Sequence, residues 1–165
     1  MSLWVVAYCT KPLAAFEDAV ESALDVADFA SMAEWQSLDE DVGYAAEDSL
    51  RYERFAEAGR RVVLVRYKHH EKGDTFVRCD HHADPAFVKE DVEGRLEEDP
   101  PARVRDVLSR AVETVAFDLK TSDWDGMGLP IAFYTAMELA KPTLGDGLVL
   151  VEDEWWDPKT FERVP

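Results

Sequence analysis

The sequence predicts a single α+β domain over residues 1–165, with a mostly antiparallel or mixed sheet and helices packed on one face. Three observations carry that expectation. Two alternating runs, VVLVRYKHH and TFVRCDHH, are joined by the Gly-containing EKGD, which is the pattern of a β-hairpin. Apolar residues recur at helical spacing at Phe16, Val20, Leu24 and Ala27, and again at Val104, Val107/Leu108, Ala111, Val115 and Leu119. Regular β-α alternation is missing, which argues against a doubly wound nucleotide-binding fold. At 165 residues, 47% of them hydrophobic, the chain is one domain by length and can bury a substantial core.

Taken in order, Leu3 to Thr10 alternates around Val5, Val6 and Tyr8 and reads as the first strand. Thr10 offers a hydroxyl cap and Pro12 fits a first helical turn, so residues 12–28 read as an amphipathic helix. Ser31-Met-Ala-Glu34 has the spacing of a capping box. Tyr44 to Ala58 is rich in helix formers and ends at Gly59, a good C′ residue, although LRYERF within it also alternates; the expectation is helix over 44–58. The hairpin follows, then a charged loop ending in Pro100-Pro101, then one long helix through Leu119. The loop TSDWDGMGLP interrupts it, Pro130 opens a helix through FYTAMELA, and Pro142 stops that helix. GDG turns into GLVLVEDEWW, read as one final strand. No internal repeat or low-complexity linker divides the chain.

Acidic residues outnumber basic ones by 35 to 18, a formal net charge of -17. Such a surplus repels nucleic acid and anionic membranes and speeds encounter with basic partners. It is unevenly placed: residues 1–50 hold eleven acids and one base, whereas residues 51–82 hold five acids and eight bases. A basic hairpin in an acidic molecule is expected to pair with its own acidic neighbours, leaving the excess carboxylate for solvent or a partner. The opening SLWVVAYC is short, has no basic leader and reads as a strand rather than a signal peptide. No segment approaches the ~20 apolar residues of a membrane helix. Cys9 and Cys79 both lie in apolar, strand-like contexts and read as reduced core thiols of a cytoplasmic protein.

Candidates for chemistry are sparse. Four histidines and a cysteine crowd the hairpin: His69, His70, Cys79, His81 and His82. Neighbours along a strand point to opposite faces, so only one histidine of each pair can serve a common site, while Cys79 and His81 share a face. His69, Cys79 and His81 are therefore the candidate metal ligands, though the tight paired spacings of recognisable zinc sites are absent. A cysteine-histidine dyad has no local signature here, and no serine sits in an elbow motif. GMG lacks a following Lys-Ser/Thr, and Asp123 and Asp125 would repel a phosphate. Acid/base chemistry by paired carboxylates needs a defined separation that sequence does not supply. No cofactor is expected.

The segment VEDEWWDP sets two tryptophans among four carboxylates. As one continuous strand it would place Val149, Val151, Asp153 and Trp155 on one face and Leu150, Glu152, Glu154 and Trp156 on the other. An indole framed by acids has the composition of a hot spot for a basic protein, the ring supplying area and the carboxylates meeting Arg or Lys. Trp124 beside Asp125, and Trp35 between Glu34 and Asp39-Glu40-Asp41, repeat the theme. The candidate partner-binding residues are thus Trp124, Asp125, Asp153, Glu154, Trp155, Trp156 and Asp157.

The stretch AFYTAMELA…GDGLVLVEDEWWDP, a helix, a turn and a Trp-bearing acidic strand, resembles in style and composition the immunity proteins that neutralise bacterial polymorphic or contact-delivered toxins. The resemblance covers about the last quarter of the chain. It implies a tight binder without enzymatic activity that covers or distorts the active site of a basic partner toxin, often a nuclease. Two other readings compete with it. One is a small metal-dependent or hydrolytic enzyme centred on the hairpin; the other is a housekeeping domain whose charge serves hydration in salt.

Overall fold

A computed structural model describes residues 4–165. Its strands are β1 Trp4–Cys9, β2 Arg51–Glu57, β3 Arg60–His69, β4 Gly73–His82, β5 Glu113–Leu119, β6 Gly147–Val151, β7 Glu154–Asp157 and β8 Glu162–Arg163. Its helices are α1 Phe16–Asp25, α2 Phe29–Trp35, α3 Glu40–Asp48, α4 Pro85–Leu96, α5 Ala102–Arg110 and α6 Gly128–Leu139, with a 3-10 turn at Thr121–Asp123. The strands form one antiparallel sheet in the order β2-β3-β4-β5-β1-β6-β7-β8. This is an α+β domain, as its sequence predicts. No helix among the described residues is long and apolar enough to cross a membrane.

Alternation along β1 dictates the layering. Val5, Ala7 and Cys9 enter the larger core with α1, α2 and α6, while Val6 and Tyr8 enter a second core with α4 and α5. Helices therefore lie on both faces, four on one and two on the other, rather than on one face alone. The two helices escape a sequence reading for different reasons. In α4 only Val88 and Val92 are buried among charged neighbours, although Asp84 caps it by accepting from the amide of Ala86 and Pro85 opens it. The expected long helix ends at Arg110, and its remainder becomes β5, whose Val115, Phe117 and Leu119 alternate into the larger core.

Other boundaries move for similar local reasons. Leu3 lies outside the described residues. The first helix begins at Phe16, not residue 12, because the Thr10 hydroxyl donates to the Asp146 carbonyl and the amide of Leu13 to Glu113. Asp28, not Ser31, caps α2, accepting from both the amide and the hydroxyl of Ser31. The expected helix over 44–58 divides into the end of α3 and edge strand β2, so the alternation in LRYERF governs there. Gly59 is a turn residue: Ala58 and Gly59 have φ of 52° and 78°, as a tight turn between Glu57 and Arg60 requires. Gly147 is needed for a different reason, since a Cβ there would lie 1.7 Å from the Tyr8 carbonyl oxygen.

The basic hairpin pairs with nearby carboxylates, as its charge predicts. On the α1 side Arg54 binds Asp18 at 2.9 Å and also Glu21, and Arg61 binds Glu17 at 2.9 Å. On the other side, charged side chains with aromatic rings lie over β2 and β3. Arg66 pairs with Glu53 at 2.6 Å and lies 5.5 Å from the Phe76 ring centre. Arg78 pairs with Asp80 at 3.0 Å and with Glu57, and lies 5.7 Å from the Phe55 centre. Beneath them Val62 and Leu64 are buried, shielded by the aliphatic stems.

Candidate functional site

The segment VEDEWWDP is a hairpin turn rather than one strand. Val151 pairs with Glu154 across Glu152-Asp153, and Glu152 takes a left-handed φ of 56°. The turn inverts the facing expected of a continuous strand: Trp155 lies opposite Leu150 and Trp156 opposite Val149. Trp155 is 7% exposed in the second core, its ring centre 5.4 Å from that of Tyr8. Trp156 is half-buried on the opposite face, edge-on to Phe133 at 5.1 Å, with its indole N–H buried and without a hydrogen-bond partner among the described residues. The two indoles therefore do not share one patch.

The carboxylates divide as well. Asp153 is exposed on the turn, Glu154 pairs with Arg163 at 2.8 Å, and buried Asp157 pairs with Arg103 while accepting from the amide of Lys159 at 2.9 Å. Trp124 is half-buried against the larger core, its indole N–H without a hydrogen-bond partner among the described residues, and Asp125 is exposed beside it. The side-chain amide of Gln36 donates to the carbonyls of Trp124 and Gly126 at 2.7 and 2.9 Å, tying this loop to the end of α2.

What gathers around Trp156 is a different set. A pocket of about 350 Å³ is lined by Met32, Trp35, Phe133, Tyr134, Trp156 and Phe161, with Pro130 and the polar Asp28 and Ser31. Trp35 is 53% and Phe161 45% exposed, so the rings are open to solvent. Trp35 lies nearly parallel to Phe133, at 21° and 5.5 Å, while Trp156 and Phe161 stand at 75° and 84° to it. Phe133 and Tyr134 are not legible as site residues, because α6 is apolar almost all round and gives no sign of which face opens to a pocket, and Phe161 lies outside it in the turn between β7 and β8.

Helices α1 to α3 carry an unusual distribution of charge, of which Asp28 lies at the pocket itself. Asp25, Asp28, Glu34, Asp39, Glu40, Asp41, Glu47 and Asp48 are all exposed, and among the described residues none of them forms an ion pair. Four sit at helix starts, where the dipole favours an anion. Asp25, Glu34, Glu47 and Asp48 instead occupy the last turns of α1, α2 and α3, and none of these turns contains a basic residue. A carboxylate at the negative end of a helix is locally unfavourable.

The hairpin's histidines and thiol do not converge. His69 lies opposite Gly73 at one end of the β3–β4 ladder and His81 opposite Arg61 at the other. The His69 Nδ1 accepts the amides of Glu71 and Lys72 at 3.0 and 3.2 Å, and its Nε2 lies 3.8 Å from Asp123, whose other oxygen accepts from Thr75 at 2.6 Å. The His81 Nε2 meets Glu113 at 2.6 Å and its Nδ1 faces Arg61 at 3.3 Å. Cys79 is buried, and burial foremost holds its thiol protonated well above the usual range. Burial, reinforced by Glu113, pushes Cys9 up to about 12. Neither thiol is prepared as a nucleophile.

His82 faces the second core's side, stacked on Phe87 at 4.0 Å. Burial, and then the charge of Arg60, lowers its pKa below the ordinary 6.5. The folded state thus binds fewer protons than the unfolded chain as pH falls through 6.5. Stability from neutral His82 is present above that value and is lost as pH descends toward the folded pKa. Urea midpoints for the protein and for His82→Gln should therefore diverge between about pH 7.5 and 5.5, the native chain showing the steeper loss. Parallel curves would mean that His82 carries no proton linkage.

No family model matches this chain, and no curated protein or solved structure matches it either.

Proposed function

We propose that this protein is a protein-binding module of the immunity type, an inhibitor that docks on a basic partner and blocks its active site. The observation that carries the reading is the set of carboxylates ending α1, α2 and α3. They stand where the helix dipole disfavours them, without a base to offset it. A cationic surface brought against this side would relieve that repulsion, and the field would speed encounter at low salt. The docking face so defined runs from Asp28 and Trp35 over α3, and takes in Asp125 and Trp156. Trp155 and Asp157, which are buried, contribute to the fold beneath it rather than to contact.

The reading sets stability against binding. Glu34→Lys and Glu47→Lys should each raise unfolding free energy by about 0.3–1 kcal/mol, because a base replaces an acid at a helix C-terminus. The same substitutions should slow association with a basic partner about tenfold when combined. Affinity capture from the native cell at low and high salt, with the double variant alongside, measures this. Capture of the same proteins in equal yield by both forms would overturn the docking face.

A further inference from the structure

We propose that the aromatic pocket between α2, α6 and the C-terminal segment receives an arginine side chain. The arginine's source, a basic partner protein, rests on the docking reading above; the pocket's preference for a guanidinium does not. Five aromatic rings line the pocket, and the sole charged side chain among its lining residues is Asp28. Ring faces carry the negative part of an aromatic quadrupole and attract a cation. Asp28 keeps its charge at the edge, its pKa lowered chiefly by the hydrogen bonds from Ser31. An acidic occupant would meet that carboxylate and the unpaired acids beyond it, and an aliphatic one would gain area alone.

Between the two basic side chains, the geometry favours arginine. Trp156 and Phe161 stand at 75° and 84° to Phe133, so a planar group entering between them meets ring faces and edges together. A guanidinium is planar, stacks on aromatic faces and is weakly hydrated, whereas an ammonium holds its water. Its remaining N–H donors can turn outward to Asp28. The volume, about 350 Å³, has room for one long side chain.

The test uses the free protein and N-acetyl-arginine amide, with N-acetyl-citrulline amide as the uncharged isostere. The five tryptophans give five indole N–H resonances. Saturable shifts of Trp35 and Trp156, with Trp155 unmoved and citrulline binding about threefold or more weaker, are the expected result. Asp28→Asn retains a helix cap and should weaken arginine about threefold while leaving citrulline unchanged. Equal binding of the two amides, no shift at Trp35 and Trp156, or an unchanged arginine affinity in Asp28→Asn would overturn the proposal. Arginine binding in a protein that captures no basic partner would fail the docking reading alone. Partner capture undiminished in Trp35→Ala would fail the partner's-arginine assignment alone.

Discussion

Trp155→Ala should lower the unfolding free energy by about 3–5 kcal/mol, the cost of emptying a large aromatic site in a core that cannot fully collapse. The ring is 7% exposed and packs with Tyr8, Leu148, Leu150, Val104 and Leu108, so it joins α5 to β1 and β6. Trp156→Ala provides the contrast. That residue is half-buried at an open pocket, and its truncation should cost about 1–2 kcal/mol of stability while weakening arginine binding. Denaturant titration of both variants, read beside the arginine-amide shifts, separates the two roles of a single dipeptide. Equal losses of stability would mean that the indoles are not divided between core and pocket.

Glu113→Ala is the second large effect, about 3 kcal/mol of destabilisation. The carboxylate accepts from the amide of Leu13 at 2.7 Å and meets His81 Nε2 at 2.6 Å, all within the interior. Because a guanidinium can only donate, Arg61 fixes His81 Nδ1 as an acceptor and leaves the ring proton on Nε2, facing Glu113. Arg61 also donates to the carbonyls of Leu13 and Ala14 at 2.7 and 2.9 Å. The network thus holds the loop before α1 against three strands. Removing its acceptor strands two buried donors. Both donors meet the same oxygen, Oε2, so Glu113→Gln can keep both contacts as neutral hydrogen bonds and should recover more than half of the loss. Chemical denaturation of the two variants decides the matter; an alanine variant within about 0.5 kcal/mol of the native protein would show the network to be dispensable.

These two residues also show where sequence suffices and where it fails. β1, the β3–β4 hairpin and α6 are legible because alternation, a glycine turn and Pro130 each point one way. That the basic hairpin pairs with acidic neighbours follows from charge, whereas the choice of Glu17, Asp18 and Glu21 comes from the placement of α1. Arg110 to Leu119 is not legible, since Ala111, Val115 and Leu119 fit a helix while Val115, Phe117 and Leu119 fit a strand. Only burial between β4 and β1 decides between them. Of the acid-framed indoles, Trp35 and Trp156 line the pocket, but the residues that complete it come from α6 and Phe161, distant in sequence and without a shared pattern. His81, singled out as a metal candidate, is occupied by Glu113 and Arg61, partners that no local motif announces.

The Glu152-Asp153 turn works as a phase setter. Its two residues determine which indole each side of the sheet receives, since pleating assigns faces by parity. A slip of β7 by one residue against β6 would exchange the compartments of Trp155 and Trp156, so the two-residue length and the left-handed Glu152 that hold Val151 opposite Glu154 guard interior and pocket together.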